Sequence, residues 1–91
     1  MLKPSSSKQF NKDVKKQKKR GKDLGKIKII MSLLVDEKKL PEKCVDHKLA
    51  GDYTGYRDCH IEPDWIVIYK INKSESEIVF VRTGSHSDLF K

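Results

Sequence analysis

Apolar and polar positions follow two different periods along the chain, and the change of period divides it. In "KQFNKDVKKQKKRG" (residues 8–21), Phe10, Val14 and Gln17 recur at i, i+4 and i+7, a narrow stripe on an otherwise lysine-covered helix. Ser5, Ser6 and Ser7 precede it with a hydroxyl able to accept its first free amides, and Gly21 ends it. A stronger apolar face follows over Leu24, Ile27, Ile30, Met31 and Leu34, with Asp23 placed to cap a second helix. Gly21 and Gly25 are read as the joint of a helical hairpin. Beyond "DEKKLPEK" the pattern shortens. "YRDCHIE" (56–62) alternates, Pro63-Asp64 turns, and "WIVIYKI" (65–71) is apolar on both faces. "NKSES" turns again and "EIVFVRT" (77–83) is apolar throughout. Such runs describe an antiparallel meander with a central strand, one face covered by helices. At the start, "MLKP" is a possible short edge strand, weakened by Pro4, which has no amide hydrogen. The expected fold class is α+β, an N-terminal helical hairpin packed on an antiparallel sheet of three to four strands.

Composition narrows the reading. Ninety-one residues suit one domain, taken as 1–91. The net charge of +7 is unevenly placed: residues 1–28 carry eleven Lys or Arg against Asp13 and Asp23, whereas residues 29–91 carry nine bases against eleven acids. The positive excess therefore belongs to the N-terminal third, as in a surface that faces polyphosphate; a solvated helix that merely keeps the chain soluble is the plainer alternative. No apolar stretch approaches the roughly 20 residues that span a bilayer. The first residues lack the apolar core of a secretion signal. Cys44 and Cys59 do not make a disulfide framework. A soluble, cytoplasmic protein without a membrane partner is expected.

The polar residues that a meander does not need are His47, His60, Asp64, Arg82 and His86, which include every histidine of the chain. Alternation puts His60 on the face of Tyr56 and Asp58, with Cys59 on the other. Antiparallel pairing of 65–71 with 77–83 brings the start of one beside the end of the other. His60, Asp64, Arg82 and His86 can then converge. Such a set suits RNA cleavage without a metal or other cofactor. A base takes the 2′-hydroxyl proton, an acid protonates the leaving 5′-oxygen, and a cation steadies the phosphorane. Imidazole fits either proton role, with an unperturbed pKa of roughly 6.5. Guanidinium fits the third, since its planar fork grips phosphate oxygens. Trp65, Tyr56, Tyr53 and Phe90 could stack splayed bases.

Plainer roles stand beside these. Trp65 can anchor the sheet core, Phe90 can pin the tail, Asp64 can shape its turn, and Arg82 can pair with Glu62 or Glu77. Cys44, His47, Cys59 and His60 make a superficial zinc inventory, disfavoured because adjacent strand residues 59 and 60 point to opposite faces and do not easily grip one ion.

The strings "DHKLAGDYTGYRDCHIEPDWIVIYKI" and "VRTGSHSDLF", together with "KQFNKDVKKQKKRGKDL", closely resemble the YafQ branch of the RelE/ParE toxin superfamily, over nearly the whole chain. The resemblance implies a RelE-like fold and a ribosome-dependent mRNA interferase that cuts mRNA in the A site. It also implies neutralisation by a DinJ-like antitoxin, with operator DNA bound only through the complex. Matched position by position, it makes His86 the foremost acid/base residue. His60 and Asp64 assist proton transfer or hold substrate, His47 contacts phosphate, and Arg82 steadies the transition state. Trp65, Phe90, Tyr56 and Lys48 are the substrate-binding candidates. Pro4 departs from the more regular first strand of the family. A gyrase-directed toxin of the ParE branch, or a catalytically silent RNA-binding module of the same fold, is the alternative.

Overall fold

The computed structural model describes residues 1–44, 47–49 and 55–90; the side chains of Lys43, His47 and Lys48 lie outside the described residues, as does Tyr53. Strand β1 (Lys3–Ser6) leads into helices α1 (Lys8–Lys19) and α2 (Leu24–Val35). A 3₁₀ turn (Glu42–Cys44) and a two-residue strand β2 (His47–Lys48) follow, then β3 (Arg57–Glu62), β4 (Trp65–Asn72), β5 (Glu77–Gly84) and a last helical turn α3 (His86–Leu89).

Local chemistry sets the helix limits. Ser7 is the N-cap of α1: its Oγ accepts the Phe10 amide at 2.9 Å and donates to the Val81 carbonyl at 2.7 Å, so one hydroxyl starts the helix and pins it to β5. Gly21 ends α1 at φ +84°, a left-handed conformation that glycine adopts without a Cβ clash. Asp23 caps α2 through the Gly25 amide at 2.9 Å. Gly25 therefore lies inside the first turn of α2, and only Gly21 belongs to the joint.

The sheet order is β1-β5-β4-β3-β2. The α+β class and the β3-β4-β5 meander are as expected, but the sheet is mixed and wider, because β1 runs parallel to β5. Pro4 is tolerated there by phase. Lys3 and Ser7 donate to Ser76 and Phe80 of the β5 side at 2.8 and 3.0 Å, so the nitrogen of Pro4 faces outward, where no ladder bond is needed. Central β4 explains its two-faced hydrophobicity. Trp65, Val67 and Tyr69 join Phe10, Ile27, Ile30, Leu34 and Phe80 in the core under the helices. Ile66 and Ile68 meet Leu89 on the opposite face, with Tyr56, Leu49 and Val81 at the margin.

One irregularity decides what β5 presents. Its pairing with β4 jumps from Ile68↔Arg82 to Tyr69↔Phe80, leaving Val81 as an extra residue. Strict alternation from Phe80 would aim residue 82 into the core under the helices. The bulge instead puts Thr83 opposite Val67 on that side and Arg82 opposite Ile68 on the other.

Candidate active site

The open face of the sheet is built from register. His60 pairs with Ile66 and Arg82 with Ile68, so both lie on the face that carries Leu89 and α3. The two-residue turn Pro63-Asp64 joins β3 to β4, and Gly84 sits opposite Ile66. The turn and the start of the tail thus meet at one end of the sheet.

There Asp64 Oδ1 accepts two hydrogen bonds from His86, from the backbone amide at 2.9 Å and from ring Nδ1 at 2.7 Å. These bonds, with the charge of the imidazole when it is protonated, hold the Asp64 carboxyl below its usual range. An ionised carboxylate only accepts, so the ring proton sits on Nδ1 and Nε2 is the nitrogen through which neutral His86 takes a proton. The ring centroid of His86 lies 5.5 Å from that of His60 and 6.2 Å from that of Phe90. His86 and Phe90 are exposed to solvent. Two imidazoles, one oriented by a carboxylate, and an accessible aromatic ring therefore share a surface.

Arg82 is placed differently from either expected pairing. From the open face it reaches back around the strand edge, donating from Nε to Asp13 Oδ2 at 2.8 Å. Neither Glu62 nor Glu77 is that partner; Glu62 is clamped by Lys22 at 2.8 Å and Lys26 at 2.9 Å, and their hydrogen bonds hold its carboxyl below the usual range. Asp13 is a buried acid that also accepts the Thr83 amide at 3.1 Å and Gln9 Nε2 at 3.0 Å. It thereby finishes the edge of β5 where β1 has ended.

Trp65 requires a correction. The ring is 0% exposed, its Nε1 donates to Thr83 Oγ1 at 3.0 Å, and Lys22 Nζ roofs it at 5.8 Å. A side chain so enclosed anchors the core and cannot stack a base. Tyr56 is half-buried against the Ile66–Ile68–Leu89 cluster, with Lys70 Nζ 5.6 Å above its ring. The backbone of β2 pairs His47 with Asp58 and Lys48 with Arg57, which brings that segment to β3. The side-chain roles expected of His47 and Lys48 lie outside the described residues. Among the described residues, no group of three or more His, Cys, Asp or Glu is placed to hold a metal ion.

Sequence reasoning missed Asp13, Asp88 and Arg20. Asp13 was visible as the one acid on the stripe of Phe10, Val14 and Gln17. Asp88 was visible as the fourth residue of Ser85-x-x-Asp88, a capping-box spacing. The box is formed: Ser85 Oγ accepts the Asp88 amide at 3.2 Å and Asp88 Oδ2 accepts the Ser85 amide at 2.9 Å. Arg20 Nη1 reaches the same carboxylate at 2.6 Å.

The same helical pair on a mixed sheet is the fold of solved bacterial toxins. The chain superimposes on a metal-bound toxin from Helicobacter pylori with a TM-score of 0.93 at 41% identity, covering 99% of this chain and all of the other. It superimposes on the toxin of the DinJ–YafQ complex from Escherichia coli with a TM-score of 0.90 at 44% identity, covering both chains fully. The mRNA interferase toxin YafQ of Escherichia coli is 48% identical over 83 residues, 90% of this chain and 88% of the relative. Residues 2–91 match the family described as the bacterial toxin of a type II toxin–antitoxin system, YafQ. The chain belongs to the YafQ toxin family.

Proposed function

We propose that this chain is the toxin of a type II pair and an endoribonuclease that cuts mRNA in the ribosomal A site. The observation that carries the reading is the 2.7 Å contact of His86 Nδ1 with Asp64, beside the His60 ring. Cleavage follows from the 2′-hydroxyl. His86 Nε2 and His60 share the proton roles: one removes the 2′ proton as O2′ attacks phosphorus, and the other protonates the departing 5′-oxygen. The products are a 2′,3′-cyclic phosphate and a free 5′-hydroxyl. Asp64 stabilises the imidazolium of His86 and fixes its ring. Arg82, steadied by Asp13, offers guanidinium charge to the phosphorane. Phe90 stacks a base, and His47 contacts phosphate as the family resemblance implies. The chemistry draws on these side chains and calls for no cofactor.

The RelE/ParE superfamily, a single domain over residues 1–91 and a cytoplasmic location complete the reading. No described helix is long and apolar enough to cross a membrane. A DinJ-like antitoxin is the proposed partner, supported by the DinJ–YafQ complexes of relatives, and operator DNA is reached through it. A carboxylate-oriented histidine beside a second imidazole is superfluous for a silent binding module or a gyrase-directed toxin, which places both behind the nuclease.

The test is His86→Ala expressed without antitoxin, with primer extension on ribosome-bound mRNA. Cut sites should vanish while the thermal unfolding curve and antitoxin binding persist. Undiminished cleavage by the folded variant would sink the assignment, and equal cleavage of naked RNA would remove the ribosome from it.

A further inference from the structure

The tail that carries His86 is short, and little apolar surface holds it. Helix α3 has four residues, of which Leu89 alone is buried. What else fixes it is a carboxylate two residues past His86. Asp88 receives Arg20 through both oxygens, Nη1 to Oδ2 at 2.6 Å and Nη2 to Oδ1 at 3.1 Å, and Lys16 at 3.3 Å. The same Oδ2 takes the Ser85 amide of the capping box. The Asp88 side chain is 14% exposed, and the Arg20 guanidinium, followed by the Ser85 amide, holds its carboxyl far below the ordinary carboxylate range. Gly84 makes the room: a Cβ there would stand 2.8 Å from Asp88 Oδ2 and 3.0 Å from its Cβ.

The tail is therefore hooked twice. Asp64 holds His86 from the β3–β4 turn, and the end of α1, some 70 residues away in sequence, holds Asp88. A planar guanidinium bonded through two nitrogens fixes orientation as well as distance, which a lysine cannot do. We infer that Asp88 and Arg20 form a positioning clamp for His86, setting the imidazole against Asp64 and His60 without touching substrate. The inference rests on the catalytic reading of His86. It also divides the basic N-terminal third into charges that serve the site and charges that face outward.

The experiment combines ribosome-bound mRNA cleavage with NMR of the His86 imidazole in the full-length toxin, for Asp88→Asn, Arg20→Lys and Arg20→Ala. Asp88→Asn keeps a capping oxygen and loses the charge. Since displacement of a reacting group by about 1 Å can cost roughly a hundredfold, kcat should fall by about tenfold or more with KM within about twofold. The His86 ring resonances should shift toward those of a free histidine. Arg20→Lys should fall between wild type and Arg20→Ala. Unchanged kcat and unchanged His86 resonances in Asp88→Asn would overturn the clamp, as would a rise in KM alone in Arg20→Ala. Should Asp88→Asn fail to fold, the two Arg20 variants, altered at an exposed side chain, carry the same decision. His86→Ala serves as the control. If it still cleaves, the catalytic reading falls and the clamp's role with it; if it is dead while Asp88→Asn is fully active, only the clamp falls.

Discussion

Replacing Asp13 by alanine tests how β5 is held. The carboxylate is 6% exposed and accepts Arg82 Nε at 2.8 Å, the Thr83 amide at 3.1 Å and Gln9 Nε2 at 3.0 Å. Its removal leaves the Thr83 amide without its acceptor, a cost of about 1–3 kcal/mol for a buried donor. The Arg82 side chain, 27% exposed, loses its Asp13 counter-charge, and losing one partner of a buried pair costs about 3–5 kcal/mol when both are fully enclosed. Arg82 is not fully enclosed, the two losses overlap, and alanine restores a few tenths of a kcal/mol of helix propensity, so the net expectation is about 3 kcal/mol. A domain of this size has about 5–14 kcal/mol in all, so the variant should remain folded with a Tm lower by about 12–24 °C. Urea titration followed by circular dichroism measures it, with an unchanged slope as the sign of intact two-state behaviour. The double variant Asp13→Ala/Arg82→Ala should be less unstable than the sum of its singles by at least about 1 kcal/mol. A single-variant loss below about 1 kcal/mol, or strict additivity, would refute the claim that this carboxylate finishes the sheet edge.

Two further outcomes follow from the same geometry. Trp65→Phe removes the 3.0 Å bond to Thr83 while keeping an aromatic ring in the core; it should cost about 1–2 kcal/mol of stability in urea and leave KM unchanged, whereas a raised KM at unchanged stability would return Trp65 to the substrate. Acid stability should be governed by Asp88, Glu62 and Asp64, whose carboxyls are all held below their usual range. The folded protein binds fewer protons than the unfolded chain in that window, so their contribution is complete above the ordinary carboxylate pKa of about 4 and is lost as pH falls toward the depressed values. Stability measured across pH 2–7 should therefore fall as pH drops below about 5, more gently in Asp88→Asn; an equally steep acid limb in that variant would contradict the pairing.

What the sequence discloses and what it hides divide by range. The two-faced apolarity of residues 65–71 identifies the central strand, because burial on both sides is a property of the segment itself. The approach of His86 to Asp64 follows from antiparallel pairing and a two-residue turn, which are also local rules. Strand β1 is legible only in part: an edge strand is expected at "MLKP" and found at Lys3–Ser6, but its four residues are all exposed and show no alternation, and its parallel pairing depends on the edge that β5 offers. The bulge at Val81 is equally silent, since "EIVFVRT" reads as continuous apolar sequence whichever way residue 82 points. Arg82 and Asp13 lie 69 positions apart and Arg20 and Asp88 lie 68 apart, so no periodicity links them. Trp65 misled for a different reason. Tryptophan serves cores and stacking surfaces alike, and only its enclosure under the helices, a tertiary fact, settles which.

The charge of α1 takes on a second meaning once these contacts are laid out. A lysine-covered helix suggests attraction to phosphate, and most of its basic side chains do face solvent. Yet Lys16 and Arg20 turn to the tail, Lys22 and Lys26 turn to Glu62 below the β3–β4 turn, and Asp13 takes Arg82. Each of these contacts ends on a segment next to His86, Asp64 or Arg82. On the proposed reading, apolar cover is scarce there because a surface that takes a nucleic acid cannot also be covered. Charge-assisted bonds supply directional restraint at an exposed site where packing cannot. Exposed ion pairs are individually weak, so the restraint depends on pairs that share a carboxylate and a backbone amide, as at Asp88 and Asp13. On this argument the helix hairpin is the frame of the site as well as its electrostatic approach. Substitutions of its inward-facing charges should slow the chemistry, while those of its outward-facing lysines should weaken docking in a salt-dependent way.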